Sequence, residues 1–223
     1  MMSGIAAAAR AQGLSDYHVV GFAGDGATAD IGIQALSGAI DRGDRFIYVC
    51  YDNEAYMNTG AQTSGLTPHA AVTTTSPAGQ RQRGSIERKK DLFEIVAAHG
   101  IAYAATTTVA HTKDLVRKVE RARDTQGTSF LHILAPCPTG WGVETNQTLQ
   151  IARAAVDCGL WVLAEYADGQ YHLNATPKKP DTVAQFLRAQ GRFAHVRPED
   201  VEALERRRDR RWAWLQKLSG STT

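Results

Sequence analysis

HVVGFAGDGATADIG, residues 18–32, is the stretch whose reading decides the fold. Its first half, His18 to Phe22, is a short Val-rich apolar run, the pattern of a buried strand. Its second half opens a helical pattern that extends from Ala27 to Asp41, with Ile31, Ile33, Leu36 and Ile40 recurring on one face and Gly43 closing the end. Gly24-Asp25-Gly26 joins the two. A glycine on each side of the acid lets the backbone turn sharply and approach a ligand closely. The helix that follows points its free N–H groups at the same place, which suits a phosphate. A carboxylate repels phosphate, and a divalent cation between them reconciles the two requirements. Mg²⁺ takes six oxygens and is commonly held by one or two carboxylates plus phosphates. Asp25 is then the carboxylate ligand.

A second strand supplies the rest of the donor set. Arg45 to Cys50, RFIYVC, is apolar, and Asp52 and Asn53 follow it; either side chain could reach the metal, and the next loop can lend a backbone carbonyl. Further along, residues 53–86 form a long loop poor in large apolar residues, a length that marks function or disorder. Helices are expected at 3–12, 89–98, 113–123 (with His111-Thr112 at its N-cap) and 146–157, and strands at 101–106 and 130–134. A hairpin of 160–166 with 170–173 turns at Asp168-Gly169. Helices at 181–190 and 199–217 finish the chain. Strand and helix alternate, so the fold class is α/β, a doubly wound and mostly parallel sheet with a C-terminal hairpin and helical extension. Residues 1–157 read as the α/β domain and 158–223 as a hairpin and helices packed on it. In such sheets ligands bind beyond the carboxyl ends of the strands. GDG, DNEAYMNTG (52–60) and PCPTGW (136–141) each follow a strand, so they converge on one edge.

Bulk properties exclude several functions. A net charge of +2 over 223 residues is too small to argue for nucleic acid or an acidic membrane. Three cysteines, Cys50, Cys137 and Cys158, make no disulfide framework and fit a reducing, cytoplasmic setting. No apolar run approaches the roughly 20 residues of a membrane span. His69, His99, His111 and His132 lack metal-ligand spacing. Cys50 and Cys158 read as buried core. The last helix sets Val201, Leu204, Trp212 and Leu215 on one face, with its arginines on the wet face. The basic run Arg81, Arg83, Arg88, Lys89, Lys90 is expected to be mainly solvated, its other reading being contact with coenzyme A phosphates or a partner subunit.

GDG followed by Asn53 resembles the thiamine-diphosphate motif, and longer words narrow the resemblance. GDGATADIGIQALSGAIDRG, YVCYDNEAYMNTGAQTSGLTP, AVTTTSPAG, LAPCPTGW and QGRF (190–193) resemble the β subunit of pyruvate:ferredoxin oxidoreductase, from Ser3 to the last helix. The branched-chain 2-oxoacid enzymes share many of these words. The resemblance implies a sheet of the thiamine-diphosphate-binding type. It also implies Mg²⁺ held by Asp25, Asn53 and the backbone carbonyl of Ala55. Gly24, Gly26 and Ala27 would lie along the diphosphate, and Glu54, Ala55, Tyr56, Met57 and Asn58 beside the cofactor. Asn58 corresponds to an asparagine near thiazolium and substrate, where a neutral amide stabilises a developing oxyanion. The implied reaction is coenzyme-A-dependent oxidative decarboxylation of a 2-oxoacid, with electrons leaving through iron–sulfur clusters to ferredoxin. It requires α, γ and δ subunits, and the glutamate that activates the cofactor belongs to the α subunit.

Cys137 matches the fourth ligand of a [4Fe–4S] cluster whose other three cysteines lie, in the family, in an N-terminal segment containing CxxC. This chain has no CxxC. Three explanations stay open: a fragment, a separate polypeptide carrying that segment, or loss of the cluster. The last admits a cluster-free thiamine-dependent decarboxylase or an inactive piece. By itself the chain is expected to hold no complete cluster and to bind thiamine diphosphate weakly.

Overall fold

The computed structural model describes residues 1–79, 84–86 and 88–220. Arg81 and Arg83 of the basic run lie outside them. The elements begin with α1 (Met2–Ala11), β1 (Val20–Gly24), a π-turn (Ala27–Ile31), α2 (Ile33–Asp41), β2 (Phe46–Asp52), α3 (Leu92–Ala97) and β3 (Tyr103–Thr108). They continue with α4 (Thr112–Asp124), β4 (Thr128–Leu134), α5 (Pro138–Trp141), α6 (Thr148–Asp157), β5 (Ala164–Ala167), β6 (Gln170–Leu173), α7 (Val183–Arg188) and α8 (Pro198–Leu218). One sheet of six strands runs β1-β2-β4-β3-β5-β6, the first four parallel and the β5–β6 hairpin antiparallel against β3. The doubly wound, mostly parallel architecture is therefore observed.

The central strands β2 and β4 read as near-continuous apolar runs because helices cover both faces there, whereas the edge strand β1 leaves Val20 and Phe22 exposed. Cys50, Phe130 and Ala104 pack on one face with Leu36, Phe93, Trp212 and Leu215, while Val49, Leu131 and Ala105 pack on the other with Tyr103 and Ala122. A third apolar cluster, with Trp141, Ile151, Trp161, Phe186 and Phe193, lies under α5, α6 and α7. The hairpin turn has Asp168 and Gly169 both at positive φ, the geometry that Asp-Gly favours.

Four differences from the sequence reading have physical causes. The helix expected from Ala27 to Asp41 is broken: a π-turn fills Ala27–Ile31, and Gly32 donates to the Ala27 carbonyl at 2.8 Å before α2 begins. A Cβ at Gly32 would stand 2.4 Å from that carbonyl oxygen, so glycine permits the break. The first hairpin strand starts at Ala164, because Trp161 and Val162 are held to β3 by other bonds: the Trp161 indole donates to Thr107 O and Thr106 Oγ1 to Val162 O. Nor are the α8 arginines uniformly wet: Arg207 reaches Asp91 at 2.8 Å and Arg211 reaches Glu94 at 2.7 Å, bolting α8 to the start of α3. The solvated reading of Lys89 also fails, since two acids draw it inward.

Candidate active site

Register brings the three loops together. Gly24, the last residue of β1, pairs with Tyr51 of β2, and Asp52 pairs with Leu134 of β4. Asp25, Asn53 and the segment 135–141 therefore leave the sheet at one edge, as the strand-end argument anticipated.

Asp25 is buried, 1% exposed, and accepts a 2.5 Å hydrogen bond from Ser64 Oγ. Burial, followed by the nearby Asp52 charge, pushes its carboxyl up to about 8, with Ser64 and Lys89 acting the other way. One end of the Asn53 amide lies 2.7 Å from the Ala55 carbonyl oxygen and 3.1 Å from Asp25 Oδ1. With nitrogen at that end, the amide donates to both oxygens. With oxygen there, three acceptors face one another and a cation is what would hold them. Adjacent oxygens in an octahedral Mg²⁺ shell are about 3 Å apart, so the spacing fits that ion. No group of three or more His, Cys, Asp and Glu with metal-holding geometry occurs among the described residues. This donor set has one carboxylate, one amide and one backbone carbonyl.

Of the two candidates after β2, Asn53 faces Asp25 and Asp52 does not. Asp52 is fully buried and turned inward: its Oδ1 accepts Glu54 N–H at 2.8 Å, and its Oδ2 meets His132 Nε2 at 2.9 Å and Lys89 Nζ at 3.3 Å. Burial works to raise its carboxyl, but Lys89 and His132 outweigh it and hold Asp52 below the ordinary value.

The other predicted residues distribute as follows. Gly26 is covered by Tyr56, whose single hydroxyl proton is shared between Gly26 O at 3.0 Å and Asp30 Oδ2 at 3.1 Å. A Cβ on Gly26 would fall 2.3 Å from Tyr56 Cζ, so the requirement for glycine is one of space. Ala27 opens the π-turn. Glu54 is buried with φ +65°, and Asn58 is exposed. Met57 packs beside Cys137, a free, half-buried thiol immediately before α5. Cys50 and Cys158 are fully buried; burial raises Cys50 well above the usual thiol range and pushes Cys158 up to about 11. Neither offers a thiolate, so within this chain a cluster would find one available cysteine, and the residues present do not make a complete [4Fe–4S] site.

Several residues of the site carry no local sequence signal. Ser64 reaches Asp25 from within the long loop, and Thr67 Oγ1 donates to Glu54 O at 2.8 Å. The Trp141 indole donates to Asn53 O at 2.8 Å. Arg192 Nη2 meets Glu54 Oε2 at 2.6 Å, and Lys89 Nζ meets Glu54 Oε1 at 2.5 Å. A cleft of about 720 Å³, counted to its open mouth, borders Glu54, Lys89, Trp141, Trp161 and Arg192. Neither Asp25 nor Asn53 lines it.

Comparison with known proteins gives a consistent result. Residues 1–133 match the model for the thiamine pyrophosphate enzyme C-terminal TPP binding domain. The chain is 46% identical over 203 residues to pyruvate synthase subunit PorB of Methanothermobacter marburgensis, covering 91% of this chain and 70% of that protein. It is 47% identical over 226 residues to ketoisovalerate oxidoreductase subunit VorB of Pyrococcus horikoshii, covering 98% of this chain and 73% of that one. Among solved structures, 2-oxoglutarate:ferredoxin oxidoreductase from Magnetococcus marinus, with 2-oxoglutarate, coenzyme A and succinyl-CoA bound, superposes with a TM-score of 0.53. That match has 24% identity and covers 61% of this chain and 45% of the other, a likeness of fold.

Proposed function

The chain belongs to the thiamine pyrophosphate enzymes as a β subunit of the 2-oxoacid:ferredoxin oxidoreductases, and on that premise we propose that its Asp25 edge holds Mg²⁺ and thiamine diphosphate for oxidative decarboxylation of pyruvate. The observation that carries this reading is the meeting of Asp25 Oδ1, the Asn53 amide and the Ala55 carbonyl at 2.7 and 3.1 Å. Those three atoms would hold the metal. Gly24, Gly26 and Ala27 would run along the diphosphate, and Glu54 to Asn58 would flank the cofactor, with Asn58 nearest the substrate. When bound, the cofactor supplies the electron sink that decarboxylation needs.

This chain's own residues do three things in the proposal. Asp25 and Asn53 orient the metal's ligand shell. Ser64 keeps the Asp25 carboxylate turned to one side by holding its Oδ2. Asn58, exposed at the edge, presents a neutral amide to a developing oxyanion. Cys137 would give one thiolate to a cluster whose remaining ligands come from another segment or chain. Residues 158–223 act in this reading as an extension on the 1–157 unit. The α, γ and δ subunits, ferredoxin and coenzyme A complete the proposed system. Among the described residues no helix is long and apolar enough to cross a membrane.

A second substrate reading, a branched-chain 2-oxoacid, rests on the VorB likeness over 98% of this chain. Ferredoxin reduction by the assembled complex, with coenzyme A and either pyruvate or 2-oxoisovalerate, tests both. Faster turnover of pyruvate is expected. A cluster-loaded complex that turns over neither 2-oxoacid would refute the functional reading.

A further inference from the structure

The metal turn is gripped from the far end of the chain. Glu54 lies between the two backbone positions, Asn53 and Ala55, that the proposed function assigns to Mg²⁺, and its backbone sits in the left-handed region at φ +65°. Every handle on this residue is held. Its N–H donates to Asp52, its carbonyl accepts from Thr67, and its carboxylate takes Lys89 on one oxygen and Arg192 on the other. Arg192 also sits over the Trp141 ring, its guanidinium carbon 3.5 Å from the ring centre, and that same indole donates to Asn53 O. One buried arginine thus touches both partners that fix the turn: directly on Glu54, and through Trp141 on Asn53.

The approach is built into two backbones. Gly191 N donates to Gly142 O at 3.1 Å, and a Cβ on Gly142 would stand 2.9 Å from Gly191 Cα. Two glycines at that crossing let the loop carrying Arg192 close on the loop carrying Trp141. Arg192 is 6% exposed, and its Nε is spent on Gln190 Oε1 at 2.9 Å, so the head cannot rotate away. A planar fork that stacks and pairs at once is a geometry lysine does not reproduce.

We propose that Arg192 is a positioning residue for the metal site: by clamping Glu54 and stacking on Trp141, it sets the direction of the Asn53 amide and Ala55 carbonyl toward Asp25. The proposal rests on the functional reading above, and it adds that the chain's last quarter controls cation affinity without touching the cation. The grip also joins two loops, since Trp141 lies four residues after Cys137, so the thiol and the metal turn shift together.

The test uses Mn²⁺ as a paramagnetic substitute for Mg²⁺, bound with thiamine diphosphate to the chain assembled with its partner subunits and titrated by electron paramagnetic resonance. Arg192→Lys and Glu54→Gln should each weaken Mn²⁺ binding tenfold or more, and the double variant should be little worse than either, because both break one clamp. Glu165→Gln, distant from the turn, serves as a destabilised control and should bind Mn²⁺ as the unaltered chain does. Binding that Asp25→Ala abolishes but Arg192→Lys and Glu54→Gln leave unchanged would overturn this inference alone. Mn²⁺ binding that is absent from the unaltered complex would overturn the functional reading and the inference with it. An equal loss in Glu165→Gln would show that affinity merely follows stability, which also overturns it.

Discussion

Replacing Glu165 by glutamine tests how the C-terminal hairpin is fastened to the parallel sheet. Glu165 sits on β5 and is 1% exposed. It accepts from Tyr103 at 2.8 Å, Arg117 at 2.7 Å, Asn174 at 2.7 Å and Arg121 at 3.3 Å, so it ties β5 to β3, α4 and the strand end after β6. Burial works to raise its carboxyl, but Arg117, Tyr103 and Asn174 outweigh it and bring the value down from 4.5 to about 2. A carboxyl held that far below its ordinary value corresponds to roughly 3 kcal/mol of stabilisation of the charged form. That is a ceiling, because Arg117 and Arg121 reach in from side chains 49% and 42% exposed, where solvent screens them. A loss of about 2 kcal/mol at neutral pH is the working figure, or about 4–8 °C in melting temperature for a chain of this size. The folded value is depressed, so this stabilisation is fully present above pH 4.5 and fades as pH falls toward 2. Urea unfolding of the native and Glu165→Gln chains at pH 7, 4.5 and 3 measures the gap directly. The gap should be wide at pH 7 and narrow at pH 3. A glutamine variant within 0.5 kcal/mol of the native chain at pH 7, or a gap that is the same at all three pH values, would refute the reasoning.

Other expected outcomes concern the site edge. Gly26→Ala places a methyl on the Tyr56 ring and should cost about 1–3 kcal/mol by overpacking; adding Tyr56→Ala should recover part of that in a double-mutant cycle. Ser64→Ala removes the donor to Asp25 and the acceptor for Leu66 N–H at 3.1 Å, for an expected loss of about 1–3 kcal/mol by thermal unfolding. Cys137→Ser should leave the fold's stability within about 1 kcal/mol, since the thiol is half-buried and free, while lowering the iron content of the assembled complex by one cluster.

The strand-end logic was readable from local patterns because parallel strands are apolar runs and their exit loops are rich in Gly, Asp and Asn. Those features alone put Asp25, Asn53 and Cys137 on one edge. Local pattern alone leaves Asp52 and Asn53 both open, and only the resemblance to the thiamine-diphosphate motif names Asn53: adjacent residues on a strand point to opposite sides, and the ring of His132 and the ammonium of Lys89 are what hold Asp52 on the other side. Composition misjudged Lys89 and the α8 arginines for a related reason. A basic residue looks solvated in a sequence until an acid from a distant element takes it inward, as Glu54 takes Lys89 and Asp91 takes Arg207. Arg192 lies 138 positions from Glu54, beyond any periodicity, and QGRF stood out as a shared word without a role. The π-turn at Ala27–Ile31 also escaped, because its apolar spacing matches an ordinary helix within one residue.

The measurement closest to the central claim is calorimetric titration of thiamine diphosphate into the assembled complex, with and without Mg²⁺, for the native chain and for Asp25→Ala and Asn53→Ala. The account predicts saturable binding that requires Mg²⁺, is abolished by Asp25→Ala and is weakened at least tenfold by Asn53→Ala. Binding that needs no divalent cation, or that survives Asp25→Ala unchanged, would contradict it.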